Sequence, residues 1–494
     1  MLVQSGQAMQ RCGMQSVSVV ALPLDAMSAL IGPERSARFM QAADRAREML
    51  SGRTVWNVNA TAQGGGVAEM LQTILAGAIS LGIDTRWVVL DGDPEFFAIT
   101  KRMHNMLHGD AGDGGELGPD EHAQYERTLS ANTATIVEQI KPGDIVLLHD
   151  PQTAGMIKPL RDAGAHVIWR SHIGKDETNE IAQRAWAFLR PYVEHAEAVV
   201  VSRPTYAPPF TNPDQIFIVP PSIDPFAGKN VEIDPATVAE ILVRVGVSDG
   251  VDQGSEIPFP RRDGGGGVVR RHDDLIVAGG FLPAGADYVL QVSRWDRLKD
   301  MEGVMTAFTE HVVGHPDVHL LLVGPATAGV SDDPEGAEVL AQCQAAWARL
   351  PEAMQERVHL VCVPMDDIDE NAYIINALQR AATVVLQKSL VEGFGLTVTE
   401  AMWKSRPVLA SDVGGIADQI EDGVSGLLLA DPTDLAGCGE LITRVLDDPA
   451  FAASLARAGH ERVLELFLGD RHLLQYGELF AHLLGAPPLV DAKA

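Results

Sequence analysis

A chain of 494 residues exceeds what one hydrophobic core ordinarily supports, so two domains are expected. Hydrophobic residues at 46% and charged residues at 21% fit a soluble globular protein. A formal charge of −29 repels phosphate backbones and anionic lipid, which argues against nucleic acid and membrane surfaces as partners.

Residues 1–53 are helical in pattern and precede the first strand, so they are expected to form an added N-terminal extension. Their apolar stretch near Ser16–Leu24 is interrupted at Pro23 and Asp25 and lacks a basic leader. Neither a signal peptide nor a membrane span is expected, and the location expected is cytoplasmic. Short apolar, β-branched runs then recur at Thr54–Val58, Arg86–Leu90, Asp144–Leu148, His166–Arg170, Ala198–Val201 and Ile216–Val219. A second set follows at Tyr288–Val292, Val318–Val323, Val358–Val363, Thr383–Leu386, Pro407–Ala410 and Gly426–Leu429. Amphipathic helix-length stretches separate them. Runs this short and apolar on both faces suit buried parallel strands covered by helices. The fold class read from this pattern is α/β, with two doubly wound Rossmann-like domains facing across a cleft.

The first domain is expected over 54–219 and the second over 220–469. Their junction is the proline-rich Val219-Pro-Pro-Ser-Ile-Asp-Pro225, which can continue neither a strand nor a helix. Within the second domain, 248–280 is rich in glycine and charge and reads as a mobile surface insertion. Residues 470–494 include a helical stretch expected to pack back on the first domain. The four cysteines, Cys12, Cys343, Cys362 and Cys438, are scattered without ligand spacing, so they read as reduced, mostly buried thiols and no metal site is expected.

In open parallel sheets ligands bind at the carboxyl ends of strands, and three polar segments follow strands here. Gly64, Gly65 and Gly66 open a helix after the first strand, where bare backbone and unpaired N–H groups suit an anion. A merely tight connection reads the same way. Arg294 and Lys299 sit five apart across a strand-to-helix turn, so both can address one diphosphate; a solvated loop is the other reading. Glu392-Gly-Phe-Gly-Leu-Thr-Val-Thr-Glu400 follows a strand and runs into a helix. Its two carboxylates are too separated along the chain to be presumed an acid/base pair. A better division gives Glu392 the sugar and Glu400 the ribose hydroxyls.

Together the E-x7-E segment, the Arg294 and Lys299 pair and the glycine loop resemble the large retaining glycosyltransferase family of GT-B fold. The N-terminal set Glu95-Phe-Phe97, His104-Asn105, His149-Asp150, Trp169-Arg-Ser-His172 and Pro220-Pro-Ser-Ile-Asp224 is similar to its trehalose-forming branch. The likeness spans roughly residues 54 to 430. It implies catalytic roles for Arg294, Lys299, Glu392, His172 and Asp150. Donor contacts would come from Gly64–Gly66, from Glu392, from the amides of Gly393, Phe394, Gly395 and Leu396, and from Glu400. Acceptor contacts would come from Asp91, His104 and Asn105. The 248–280 insertion has no counterpart in that pattern.

Each assignment has a plainer reading. His149 and His172 could be satisfied core histidines, and Asp150 could cap the following helix. Asp91-Gly-Asp93 resembles a D-x-D metal motif but reads as a strand-ending turn, and Trp169 and Trp403 read as packing. The resemblance implies glucosyl transfer from a nucleoside-diphosphate glucose to a small sugar acceptor, glucose giving trehalose, with no further cofactor. A retaining trehalose phosphorylase and transfer to another acceptor stay open. So do the nucleobase and the oligomeric state, a homodimer included. A binding protein that has lost the reaction is disfavoured because His172, Lys299 and Glu392 are all present. A nicotinamide dehydrogenase is disfavoured because G-x-G-x-x-G is absent.

Overall fold

Burial on both faces of short strands decides the architecture. The computed structural model describes residues 14–21, 24–62, 66–327 and 334–490, and all twelve expected strands form. One unit comprises the chain up to Ser222 together with the residues from Gly469; the other is Ile223–Leu468.

The first unit holds a seven-stranded sheet in the order β1-β3-β2-β4-β5-β6-β7. These are β1 (Gln15–Val17), β2 (Val55–Asn59), β3 (Thr85–Val89), β4 (Ile145–His149), β5 (His166–Arg170), β6 (Ala198–Val201) and β7 (Ile216–Ile218). All neighbours are parallel except β1, which pairs antiparallel to β3. Alternation splits each strand between two cores. Val146, Leu148, Val167 and Trp169 pack on one face with Phe96, Tyr125 and Trp186. Ile145, Leu147, Ile168 and Val200 pack on the other with Leu71, Tyr476 and Phe480. Tyr476 and Phe480 belong to the C-terminal helix Gly469–Leu483, whose neighbours are the helices Pro33–Met49 and Gly66–Ser80.

The second unit repeats the plan in the order β10-β13-β12-β11-β14-β15-β16. Its strands are β10 (Ile276–Ala278), β11 (Tyr288–Val292), β12 (His319–Pro325), β13 (Val358–Val363), β14 (Val384–Gln387), β15 (Val408–Ser411) and β16 (Leu427–Leu429). β10 is antiparallel to β13 and the rest are parallel. A separate hairpin joins β8 (Pro258–Pro260) to β9 (Gly266–Val268).

Two expectations are corrected. Residues 1–53 contain the helices Leu24–Ile31 and Pro33–Met49, but also the edge strand β1, whose three residues are too few to show a period. The 248–280 segment, expected as a mobile loop, carries β8, β9 and β10. One of its glycines serves packing: a Cβ on Gly267 would meet the Phe259 ring, and that ring stacks on Tyr373 at 5.5 Å. Its arginines grip the start of the helix Ile368–Ala381. Arg261 pairs with Asp367 at 2.5 Å, Arg262 with Asp369 at 2.8 Å and Arg270 with Glu370 at 2.5 Å. These acids crowd one helix N-terminus, and the insertion neutralises them.

Glu370 is 2% exposed, so removing its guanidinium leaves a buried carboxylate underpaired. Arg270→Ala should lower stability by about 1–3 kcal/mol in denaturant unfolding. It should also make 248–280 more susceptible to limited proteolysis than in the wild type.

Candidate active site

In the second unit the carboxyl ends of β11 and β14 lie side by side, because those strands are neighbours in the sheet. After β11 the chain turns through Ser293–Asp296 and a single 3-10 turn, Arg297–Lys299. Asp300 then takes a left-handed conformation (φ 48°) and caps the helix Met301–His311, accepting from the Gly303 N–H at 3.2 Å. Gly303 is required there, since a Cβ would strike the Asp300 carboxylate. After β14 the chain continues as Lys388 and Ser389, then the loop to Gly395. Gly395 sits at φ 81° as the N-cap of the helix Leu396–Trp403.

Two ion pairs stitch these turns together. Lys299 Nζ donates to Glu392 Oε2 at 2.5 Å, and Ser389 Oγ donates to the same oxygen at 3.1 Å. Lys388, wholly buried, donates to the Asp300 carboxylate. Gln291 of β11 spans the two loops: its Nε2 donates to Lys299 O at 2.7 Å and its Oε1 accepts from Lys388 N at 2.9 Å. Arg294 is half exposed and pairs with Asp296 at 3.0 Å, while Arg297 reaches outward to Glu338 at 2.7 Å. The expected pair thus divides into an inner Lys299 and an outer Arg294. Lys388 and Asp300 complete a polar layer that was not singled out from the sequence.

The glycine segment is rigidly backed. Phe394 is buried and packs against Phe467 with ring centroids 5.9 Å apart. The Phe394 carbonyl accepts from the Gln419 amide, and Gly415 N donates to Gly393 O at 3.1 Å. With Gly395 at the cap, Leu396 opens the helix and its first amides face the loop, an arrangement suited to an anion or a sugar hydroxyl. Glu400, about one turn into that helix, is buried and pairs with Lys229 Nζ at 3.1 Å. Behind it lies Lys404, wholly buried and pushed down to about 7 by that burial, bonded to Asn230 and Gln379. Glu392 and Glu400 do not meet as an acid/base pair.

In the first unit the carboxyl ends of β4 and β5 carry the polar cluster. His149 Nδ1 lies 3.0 Å from His172 Nε2, and His149 Nε2 lies 3.1 Å from Asn57 Oδ1. With Asn57 presenting its oxygen, His149 donates through Nε2 and accepts at Nδ1 from the His172 Nε2–H, which leaves His172 Nδ1 as an acceptor. Burial pushes the His149 imidazole down to about 3 and holds His172 well below its ordinary value, so both are neutral. The chain of bonds fits that state.

Asp150 departs from the helix-capping alternative: its carboxylate does not cap, but Oδ1 accepts from the His172 N–H at 2.7 Å. Burial pushes it up to about 7. Its backbone, at φ 64° and ψ 177°, occupies a region almost reserved for glycine. Four bonds hold it there. Asp150 N donates to Arg170 O at 2.8 Å, and Asp150 O accepts from Trp169 Nε1 at 3.1 Å and from Thr153 N and Oγ1 at 3.2 and 3.1 Å. Strain held by this many contacts points to a function for the side chain it aims.

Gly66 begins the helix Gly66–Ser80, as read from the sequence; Gly64 and Gly65 lie outside the described residues. The acceptor candidates lie in the loop after β3 and on the helix Pro94–Leu107, whose neighbours include the 3-10 turn Pro151–Met156 that follows Asp150. Asp91 is fixed through its backbone by Asn132, at 2.9 and 2.8 Å. His104 and Asn105 occupy the last turn of the helix Pro94–Leu107, with Asp110 N bonded to Asn105 O at 3.0 Å. Asp93 caps that helix, accepting from Phe96 N at 2.8 Å, so Asp91-Gly-Asp93 is a strand-ending turn. Trp169 packs on Trp186, and Trp403 stacks on His460. Cys343, Cys362 and Cys438 are free and buried, and Cys12 lies outside the described residues.

Comparison with known proteins places these features in a lineage. Residues 57–208 match the family described as "Trehalose synthase, N-terminal domain", and residues 276–462 match "Glycosyl transferases group 1". The chain is similar to a trehalose synthase of Pyrococcus horikoshii, 32% identical over 464 residues that cover 94% of this chain and 97% of that one. It is less similar to a trehalose phosphorylase of Pleurotus pulmonarius, 25% identical over 418 residues covering 80% of this chain and 52% of that one. A solved structure described as "Trehalose-6-phosphate from E. coli bound with UDP-2-fluoro glucose" shares the fold, with TM-score 0.64 and 13% identity, over 88% of this chain and 100% of that one.

The strain at Asp150 has a direct check. Asp150→Ala and Asp150→Gly both delete the carboxylate, but only glycine relieves the backbone. The Gly variant should be the more stable by about 1–3 kcal/mol in denaturant unfolding, the reverse of the usual order. Equal stability would mean the backbone relaxes without cost.

Proposed function

The chain belongs to the trehalose synthase family of retaining, GT-B-fold group 1 glycosyltransferases, and we propose that it transfers glucose from a nucleoside-diphosphate glucose to free glucose, giving trehalose. The observation that carries this reading is the Lys299–Glu392 ion pair beside the Gly395 helix start. It holds a cation, a carboxylate and a row of amides within one turn of chain on each side. Those are the three groups that a diphosphate joined to a sugar requires.

On donor binding, Lys299 exchanges Glu392 for the diphosphate, and Arg294 closes on it from the outer side. Glu392, released, accepts hydrogen bonds from sugar hydroxyls, and the amides of Gly393–Leu396 supplement them. Glu400 accepts from the ribose hydroxyls. Asp150 and the neutral His172 serve the reacting sugars, with His172 accepting through Nδ1. Asp91, His104 and Asn105 are assigned to the acceptor, and Gly64–Gly66 to the donor phosphates. The anomeric carbon–oxygen bond breaks with its electrons going to the phosphate oxygen. Lys299 and Arg294 stabilise that developing charge. The acceptor hydroxyl attacks on the same face, and its proton passes to the departing phosphate oxygen. No carboxylate is assigned as a nucleophile, so configuration is retained without a covalent intermediate.

Only the two substrates and the chain's own groups take part in this scheme. Among the described residues no helix is long and apolar enough to cross a membrane. Cytoplasmic placement, where nucleotide sugars are drawn upon, suits the reading. A phosphorylase would place inorganic phosphate on the same cations. Its relatives match this chain over only about half of their length.

Two measurements test the proposal. Lys299→Ala should lower kcat for trehalose formation by about 10²–10³-fold while the melting temperature stays near wild type; wild-type turnover would sink the assignment. Trehalose should be consumed with a nucleoside diphosphate and not with inorganic phosphate. The opposite pattern makes the chain a phosphorylase.

A further inference from the structure

A second ion pair of the second unit stands at Glu400. That carboxylate is 2% exposed, and Lys229 Nζ lies 3.1 Å from its Oε1. Lys229 comes from a turn at 224–231, far along the chain from the helix Leu396–Trp403 that carries Glu400. The flexible stem of a lysine does not by itself fix its ammonium, so the turn must. Inside the turn Asn230 Nδ2 donates to Asp224 O at 2.9 Å, and the N–H groups of Asn230 and Val231 both donate to Ala227 O at 2.8 Å. The helix Ile368–Ala381 grips it from outside. Asn376, wholly buried, donates through Nδ2 to Gly228 O at 2.9 Å and to Val231 O at 2.8 Å. Arg380 Nη2 adds bonds to Asn230 O at 3.1 Å and Val231 O at 2.9 Å.

The helix that carries Glu400 closes on the same turn. Trp403 Nε1 donates to Asn230 O at 3.2 Å. Just past the helix, Lys404 Nζ donates to Asn230 Oδ1 at 3.0 Å and to Glu400 O at 3.2 Å. The insertion abuts the turn as well, since Pro260 O would lie 3.5 Å from a Cβ on Gly228. Backbone groups on both sides of Lys229 are thus held, and the lysine is set against Glu400 by the fold.

This pair differs from Lys299–Glu392 in what can replace the cation. A diphosphate carries enough charge to draw Lys299 away from Glu392. A ribose hydroxyl is neutral and does not compensate a buried carboxylate. Glu400 can therefore serve a ribose as a carboxylate only while its cation stays in place.

We propose that Lys229 is a positioning residue for donor recognition: its ion pair stays closed when the nucleotide binds, and it holds the Glu400 carboxylate charged and fixed in rotation for the ribose hydroxyls. This rests on the ribose role proposed above for Glu400. It makes the turn at 224–231 a determinant of donor choice, favouring a ribonucleotide over one whose sugar lacks hydroxyls.

Donor choice tests this. Among the uridine, adenosine and guanosine diphosphate glucoses, the one with the highest kcat/KM is compared with its 2′,3′-dideoxy form. The wild type should favour the ribose form by about tenfold or more. In Lys229→Met the KM for the ribose donor should rise about tenfold with kcat at saturation nearly unchanged, while the KM for the dideoxy donor stays where it was. The preference then shrinks by the same factor, and Lys229→Arg, which keeps a cation, should restore it. Equal losses on both donors, or an undiminished preference in Lys229→Met, overturn the inference and leave the ribose role of Glu400 standing. A wild type indifferent to the hydroxyls, or wild-type preference in Glu400→Ala, would refute that role and the inference with it. A crystal structure of the wild type with the matching nucleoside diphosphate needs no variant. Lys229 Nζ should remain within about 3.5 Å of Glu400 while Glu400 meets the ribose, and a Lys229 turned onto the phosphates or into solvent overturns the inference.

Discussion

Lys299 and Glu392 stand 93 positions apart and meet at 2.5 Å because β11 and β14 are adjacent. Most of the second unit's design converges on this contact. The apolar strands bring the two loops level, Gln291 spaces them, and Lys388 and Asp300 form a buried brace beneath. An ion pair with little solvent around it gives its members up only for a better partner. A diphosphate offers Lys299 more charge than one carboxylate, and sugar hydroxyls offer Glu392 several donors. The pair is therefore a placeholder for the substrate, with the cation and the acceptor already oriented.

The first unit solves a different problem. Its cluster holds groups able to carry charge, His149, His172 and Asp150, in surroundings that penalise charge. The histidines yield and become neutral. At Asp150 the hydrogen bond from the His172 N–H opposes the effect of burial. The strained backbone of Asp150 fixes where its carboxylate points. Charge, strain and burial are thus set by residues from β2, β4, β5 and the far end of the chain.

The twelve parallel strands were legible because a buried parallel strand must be apolar on both faces, a pattern carried by adjacent residues. β1, β8 and β9 were not, since Gln, Ser, Pro and Gly interrupt their three-residue runs, and the short apolar β10 lies within a segment whose glycine and charge read as loop. The polar loops at strand ends were visible by the same logic. Lys299, Glu392, Asp150 and His172 stand out because polar residues follow runs of Val, Leu and Ile. Lys388 carried that signal as well, directly after Val384–Gln387, and it marks the brace. The grip of 261–270 on 366–370 and the meeting of Ser222 with His472 depend on partners about 100 and 250 residues away. No local pattern encodes such a meeting. Asp150's left-handed backbone was equally hidden, because its residue type is a common helix cap.

The central claim is that the Lys299–Glu392 pair opens to receive a diphosphate. A crystal structure with a nucleoside diphosphate bound tests it most directly. The account predicts Lys299 Nζ within about 3 Å of a terminal phosphate oxygen and Glu392 released from it. A bound nucleotide with Lys299 still on Glu392, and the phosphates held elsewhere, would contradict it.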